Sequence, residues 1–182
     1  MCDHHAPDPP SRFVSDWIRK LAGGAGAPTR ALDVAVGRGR HAEVLAAEGF
    51  STFGVDVSVD AVRGAVARAA AQGLVVRGWC ADLTRHALPL EHFALVVVVR
   101  YLQRDLFAAL VRTLAPGGVL LYETFTEGQR AVGRGPTSPD HLLKPGELRA
   151  AFADLDVLFY EEVLEPDALA RLVARKAGAG RV

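Results

Sequence analysis

Lysine is scarce in this chain, with three residues against eighteen arginines in 182 positions. Cysteine is limited to Cys2 and Cys80, so there is no disulfide framework to staple a small domain. Neither sign of charge is in excess: 21 basic side chains meet 21 acidic ones and the formal net charge is zero. That balance argues against a protein that lives on nucleic acid, whose usual footprint is a basic patch and a high pI, although it leaves room for a local patch. The longest apolar run centres on Leu95 to Val99, far short of the roughly 20 residues a membrane-spanning helix requires. The N-terminus lacks the positive segment followed by an apolar one that marks a secretory signal. A cytoplasmic protein with no membrane partner is the expectation. What is plentiful is hydrophobic residues, half of the chain, enough to bury a sizeable core in one domain.

Apolar runs and helical spacing alternate along the chain. Residues 1–10, with Pro7, Pro9, Pro10, His4 and His5, read as a mobile arm. Ser11 caps a helix that carries Phe13, Val14, Trp17, Ile18 and Leu21 on one face, and Gly23-Gly24-Ala25-Gly26 ends it. Strands are predicted at 31–36, 52–56, 74–79, 93–99, 119–123 and 156–161. Helices are predicted at about 40–48, 59–72 capped by Ser58, 105–114, and from Pro145 to about Ala153. The stretch Ala168 to Arg175 fits helix or strand. Such alternation predicts an α/β fold with a parallel sheet covered on both faces. Ligands in such sheets sit at the carboxyl ends of the strands, where strand order reverses.

The residues at those ends carry the chemistry. Gly37 and Gly39 follow the first strand and let the backbone approach a ligand closely. Gly37-Arg38-Gly39-Arg40-His41-Ala42 also satisfies the dinucleotide pattern G-x-G-x-x-A. Three acids sit at successive strand ends: Asp33, Asp56 and Asp82. A carboxylate at Asp56 can accept both ribose hydroxyls, and one at Asp82 can accept from an adenine amino group. Each has a plainer reading: Asp33 as a helix cap, Asp56 as a turn residue before Ser58, Asp82 as a solvated side chain.

The runs Asp33-x-Ala35-x-Gly37-x-Gly39-Arg40-His41, Gly54-Val55-Asp56-Val57-Ser58, Ala81-Asp82-Leu83 and Leu114-Ala115-Pro116-Gly117-Gly118 resemble the class I S-adenosylmethionine-dependent methyltransferases. The resemblance extends from about Ser11 to Glu162 and is greatest to small bacterial enzymes of the tellurite-resistance and thiol-methyltransferase type. It implies a Rossmann-like seven-stranded sheet in the order 3-2-1-4-5-7-6, strand 7 antiparallel, with helices on both faces. The ambiguous Ala168 to Arg175 then becomes that last strand. It implies a single methyltransferase domain over 1–182, with S-adenosylmethionine as cofactor. Asp33 would hold the methionine amino group. Ala35, Gly37 and Gly39 would line the methionine tail. Asp56 would bind the ribose, with Val57 against the adenine. Asp82 and Leu83 would hold the adenine edge, and Arg100 would lie beside the sulfonium. The chain departs from those relatives at Ala35, where glycine is frequent, at Val36, where cysteine is usual, and at Gln103, where histidine is usual.

The acceptor pocket is expected between the ends of strands four and five, near Arg100, Tyr101, Tyr122, Glu123 and Thr124. Arg100, Tyr122 and His141 are the candidate catalytic residues. Arg100 binds an anionic acceptor or pairs with Glu123; His141 is a base or a surface histidine. The glycine- and proline-rich segment 126–144 is an acceptor-site lid or a disordered loop. His4 and His5 cap the pocket or belong to a free arm, and no metal is expected at two adjacent histidines. Cys80 is expected to be a buried small hydrophobe. The expected partner is a small-molecule methyl acceptor (a thiol, a chalcogen or a small anionic compound), the protein being a monomer or homodimer. The rival readings are an NAD-dependent oxidoreductase, an RNA methyltransferase and a non-catalytic cofactor-binding protein.

Overall fold

In the computed structural model, which describes residues 9–22 and 29–178, the apolar runs become one seven-stranded sheet. Most of the expected arm, the His4–His5 pair, Cys2 and the glycine stop at 23–26 lie outside the described residues. The strands are β1 (Arg30–Val34), β2 (Ser51–Asp56), β3 (Val76–Cys80), β4 (Phe93–Val99), β5 (Leu114–Phe125), β6 (Asp156–Val163) and β7 (Leu169–Arg175). Their order is β3-β2-β1-β4-β5-β7-β6. The first five strands are parallel, and β7 runs antiparallel to both β5 and β6. The topology is the one the resemblance implies, and Leu169–Arg175 is a strand.

Helices α1 (Arg12–Ala22), α2 (Arg40–Ala47) and α3 (Val59–Ala71) cover one face. On that face Val14, Ile18 and Leu45 pack on Leu95, Val97 and Leu121. Phe13 and Trp17 stack against Phe159, with ring centroids 5.5 and 6.0 Å away. Helices α4 (Phe107–Thr113) and α6 (Glu147–Ala151) cover the other face, where Leu110, Leu148 and Phe152 meet Val96, Val98, Leu120 and Tyr122. Successive residues of β4 therefore enter opposite cores, which is why this strand is apolar throughout. Among the described residues no helix is long and apolar enough to cross a membrane.

Several boundaries differ from the sequence reading. The first strand stops at Val34 because Ala35 takes φ 55°, in the left-handed region. Leu74 lies in the turn that follows α3, where its N–H donates to Ala69 O at 2.9 Å, so β3 begins at Val76. β5 starts at Leu114 and runs through Pro116-Gly117-Gly118, where its pairing with β4 slips. A Cβ at Gly118 would lie 2.8–2.9 Å from the carbonyl oxygens of Ala115 and Phe93, so the backbone closeness of this irregularity requires glycine. The last helix begins at Glu147, after a left-handed Gly146 at φ 73°.

After β1 the chain builds β2 and β3 on one side and then crosses to β4 on the other. The crevice that this reversal opens lies at the carboxyl end of β1.

Candidate cofactor and acceptor site

The turn from β1 to α2 is built from left-handed backbone: Ala35 at φ 55°, Gly37 at φ 50° and Gly39 at φ 80°. Alanine at the first position is strained. The Gly37 N–H donates to Asp56 Oδ2 at 2.9 Å, and the Ser58 N–H donates to Asp56 Oδ1 at 3.0 Å. The end of β2 is thereby tied to the turn after β1, and each carboxylate oxygen keeps acceptor capacity. Gly39 has a different task. A Cβ there would come within 2.7 Å of the Ala65 Cβ, so its bareness lets the turn lie against α3. Gly54 similarly makes room for Val36, whose Cγ2 a Cβ there would meet at 2.9 Å.

A cleft of about 250 Å³ opens beside this turn, lined by Ala35, Val55, Asp56, Val57, Ala81, Asp82, Leu83, Tyr101 and Gln103. Five of the proposed cofactor residues thus share one cavity. Sequence reasoning put Tyr101 with the acceptor and read Gln103 as the site of a lost histidine; both line this cleft, and the Tyr101 O–H donates to Gln103 Oε1. Burial, together with the charges of Asp56 and Asp82, pushes the Tyr101 hydroxyl above the ordinary phenol range. Asp82 is partly the turn residue its plainer reading foresaw. Its Oδ1 accepts from the Thr84 hydroxyl at 2.7 Å and the Thr84 N–H at 2.9 Å, which hold its carboxyl low. Cys80 is exposed, contrary to expectation, because it ends the edge strand β3; its thiol donates to Val57 O at 3.2 Å.

Asp33 lies behind the turn and does not line the cleft. It is buried, and its Oδ2 has no hydrogen-bond partner among the described residues. Burial pushes its pKa up to about 8, against the opposing effects of the Ala42 N–H and the Arg40 charge. Beside it His41 is also buried, and its Nε2 accepts the Ser11 N–H at 3.0 Å. Burial, with the charges of Arg40 and Arg100, lowers its pKa to about 3, so the ring is neutral. Arg40 donates to Pro9 O at 3.3 Å. The glycine turn therefore grips the start of α1 at two points. Sequence reasoning quoted Arg40 and His41 as motif letters without seeing this role, which depends on a contact about 30 positions away.

The acceptor side brings together a different set from the one expected. Arg100, at φ 54° just after β4, forms an ion pair with Asp167 at 3.6 Å and lies 5.6 Å from the Phe125 ring centre. Its backbone N–H donates to Glu123 O at 2.8 Å. Buried Glu123 accepts from Arg171 at 2.7 Å, and Arg171 also reaches Glu161 at 2.8 Å. Tyr122 is a correction: its ring is buried among Phe107 and Phe152, on the sheet face opposite α1. Its hydroxyl donates to Tyr101 O at 3.0 Å, and burial pushes its pKa well up. The even position in β5 turns it into that core. His141 is exposed on a 3-10 turn, Pro139–His141.

Segment 126–144 holds that turn and a short helix, α5 (Gln129–Val132), and is fastened at both ends. Thr126 bridges to Leu143, whose N–H donates to Phe125 O, and Leu142 and Leu143 are buried. Buried Gln129 accepts from the Ala168 N–H at 2.7 Å and donates to Asp167 at 3.2 Å. Burial would raise the Asp167 carboxyl, but bonds from Gln129 and Arg134 and the charges of Arg134 and Arg100 outweigh it and hold it low. Asp167 was not singled out from sequence, because it lies in a turn with no motif around it.

Comparison with known proteins bears on the domain and its fold. Residues 31–118 match the family model described as a methyltransferase domain. No curated protein matches the chain. Among solved structures it is similar to the [4+2]-cyclase SpnF, at 18% identity and TM-score 0.73, covering 92% of this chain and 81% of that one. It is similar to TehB from Haemophilus influenzae at 17% identity and TM-score 0.71, covering 90% of this chain and 61% of TehB. It is also similar to an S-adenosylmethionine-dependent methyltransferase from Mesorhizobium loti at 20% identity and TM-score 0.69, covering 89% and 98% of the two chains. At such identities the shared property is the fold. Over residues 31–118 the chain is similar to a methyltransferase domain, and it shares its fold with these three solved structures.

Proposed function

We propose that this protein is an S-adenosylmethionine-dependent methyltransferase whose acceptor is a small molecule that brings its own negative charge: a thiolate, hydrosulfide, a selenolate or a small anionic compound. The observation that carries the reading is the Asp56 carboxylate set across the glycine turn, in a cleft that Asp82 and Leu83 close on the far side. The residues fit the cofactor. Asp56 has lone pairs left for two ribose hydroxyls, Val57 and Leu83 offer apolar surface to the adenine, and Asp82 keeps an oxygen for its edge. The unpartnered Asp33 oxygen suits the methionine ammonium. A Cβ at Gly37 would meet only Ala35 O, 3.8 Å away, so the space beside the turn is open for the methionine chain. When bound, S-adenosylmethionine supplies an electrophilic methyl group on a sulfonium.

The chain's own task is to orient the acceptor and exclude water. A general base is needed only if the acceptor must lose a proton. Of the groups offered for that role, Tyr122 is buried with its proton on a carbonyl oxygen, and His141 stands exposed on its 3-10 turn. An already charged nucleophile needs neither, and the Arg100 guanidinium supplies the complementary charge. Segment 126–144 covers the acceptor.

The test is a panel of hydrosulfide, small thiols, selenide, small carboxylates, phenols and tRNA, with formation of S-adenosylhomocysteine as the readout. Turnover with hydrosulfide, thiols, selenide or carboxylates is the expected result. Turnover confined to phenols or tRNA contradicts the acceptor class. Cofactor binding without turnover on any of them returns the protein to the cofactor-binding class.

A further inference from the structure

Asp167 stands where three parts of the chain meet. It opens the approach to β7, it receives Gln129 and Arg134 from segment 126–144, and it faces Arg100 from the end of β4. Arg134 places Nε and Nη2 both at 3.0 Å from Oδ1, and Gln129 Nε2 lies 3.2 Å from the same oxygen. Arg134 also donates to Pro166 O at 2.7 Å, so the segment is riveted to the turn before β7. Oδ2 faces the Arg100 guanidinium at 3.6 Å. The side chain of Asp167 is 16% exposed, against 38% for Arg100 and 61% for Arg134. A carboxylate so enclosed is screened less from its partners than a surface pair would be.

We infer that Asp167 is a positioning residue for methyl transfer: one oxygen fastens segment 126–144, and the other holds the Arg100 guanidinium at the acceptor side. The inference rests on the proposed function and adds to it the residue that makes Arg100 and the segment act together. The backbone of Arg100 is already in a sparsely populated conformation, at φ 54°, which persists only where the surroundings over-determine it. Asp167 and the Phe125 ring are two of those determinants. Asp167 touches no reacting atom in this scheme and acts through Arg100.

The division between the two oxygens makes the inference testable. In Asp167→Asn the amide oxygen still accepts from Gln129 and Arg134, while the charge facing Arg100 is gone. Labelling of individual arginines by phenylglyoxal, read by peptide mass spectrometry, should then show Arg100 reacting at least threefold faster. Exposed Arg38 should be unchanged, and amide exchange over 129–134 should stay close to wild type. Asp167→Ala should release both the arginine and the segment, and Asp167→Glu should bring Arg100 labelling back towards wild type. With hydrosulfide as the probe acceptor, Asp167→Asn should lower kcat at least tenfold and leave KM for S-adenosylmethionine within threefold. Unchanged Arg100 labelling in Asp167→Asn overturns the inference, as does a loss that appears only in KM for the cofactor. Absence of wild-type turnover with every acceptor of the panel defeats the functional reading instead, and the labelling still decides whether Asp167 holds Arg100.

Discussion

Asp33 is costly to keep as an anion. Its pKa of about 8, against an ordinary 3.8, means that the folded chain binds a proton there which the unfolded chain has released at neutral pH. Where the folded state binds more protons than the unfolded one, stability falls as pH rises, here between about pH 4 and pH 8. A cationic ligand at the unpartnered oxygen would offset that cost. Two outcomes are expected for Asp33→Asn. The fall in Tm between pH 5 and pH 8 should be shallower than in wild type, checked by thermal melts of the ligand-free protein across pH. Affinity for S-adenosylmethionine should drop at least tenfold, about 1.4 kcal/mol, by titration calorimetry. A cofactor affinity equal to wild type would show that the ammonium is held elsewhere. At this scale the sequence was informative where position at a strand end carries meaning: Asp56 and Asp82 line the cleft, Gly37 bonds to Asp56 in the turn beside it, and Asp33 is buried near the end of β1. It was uninformative where a role depends on a distant contact. The bond from Ser11 to His41, the pairing of Arg100 with Asp167 and the burial of Tyr122 are made by the tertiary fold.

Among the elements, the glycine turn separates two reasons for having no side chain. Gly37 has space around it and a left-handed φ of 50°, so Gly37→Ala should fold, at a strain of about 1 kcal/mol, and lose cofactor affinity. Gly39→Ala would force a methyl group to 2.7 Å from the Ala65 Cβ and 2.9 Å from its Cα. Overpacking of that kind typically costs about 1–3 kcal/mol, so its melting temperature should fall clearly below that of Gly37→Ala. Comparing melts and cofactor titrations of the two variants checks the assignment; equal stability of both would contradict it. The same contrast explains which elements could be read in advance. β4 and the Ser58 cap, which accepts the Ala61 N–H at 3.2 Å, follow from local pattern alone. The extension of β5 through proline and two glycines does not, because only its neighbour β4 makes that segment a strand. The short α6 likewise depends on Glu147, which accepts the Lys144 N–H at 2.8 Å and is held by Arg104.

For the molecule as a whole, the fold divides the labour between two halves of one sheet. The ends of β1, β2 and β3 line the cleft proposed for the cofactor, while Arg100 and Phe125 at the ends of β4 and β5 meet Asp167, just before β7, which is bonded to segment 126–144. Replacing Arg130–Asp140 by a short Gly-Ser linker removes Arg134 and its bonds to Asp167 and Pro166. Cofactor affinity should stay within about threefold, under roughly 0.7 kcal/mol. Transfer to whichever acceptor the panel identifies should fall at least tenfold. Full activity in that variant would make the segment a passive connection. The central claim is that the cleft at the end of β1 and β2 holds S-adenosylmethionine through Asp56, and calorimetric titration of the wild type and Asp56→Ala tests it most directly. The account predicts saturable binding of S-adenosylmethionine by the wild type, none of NAD, and at least tenfold weaker binding by a folded Asp56→Ala. Binding of NAD in place of S-adenosylmethionine, or an affinity for S-adenosylmethionine untouched by the loss of Asp56, would contradict it.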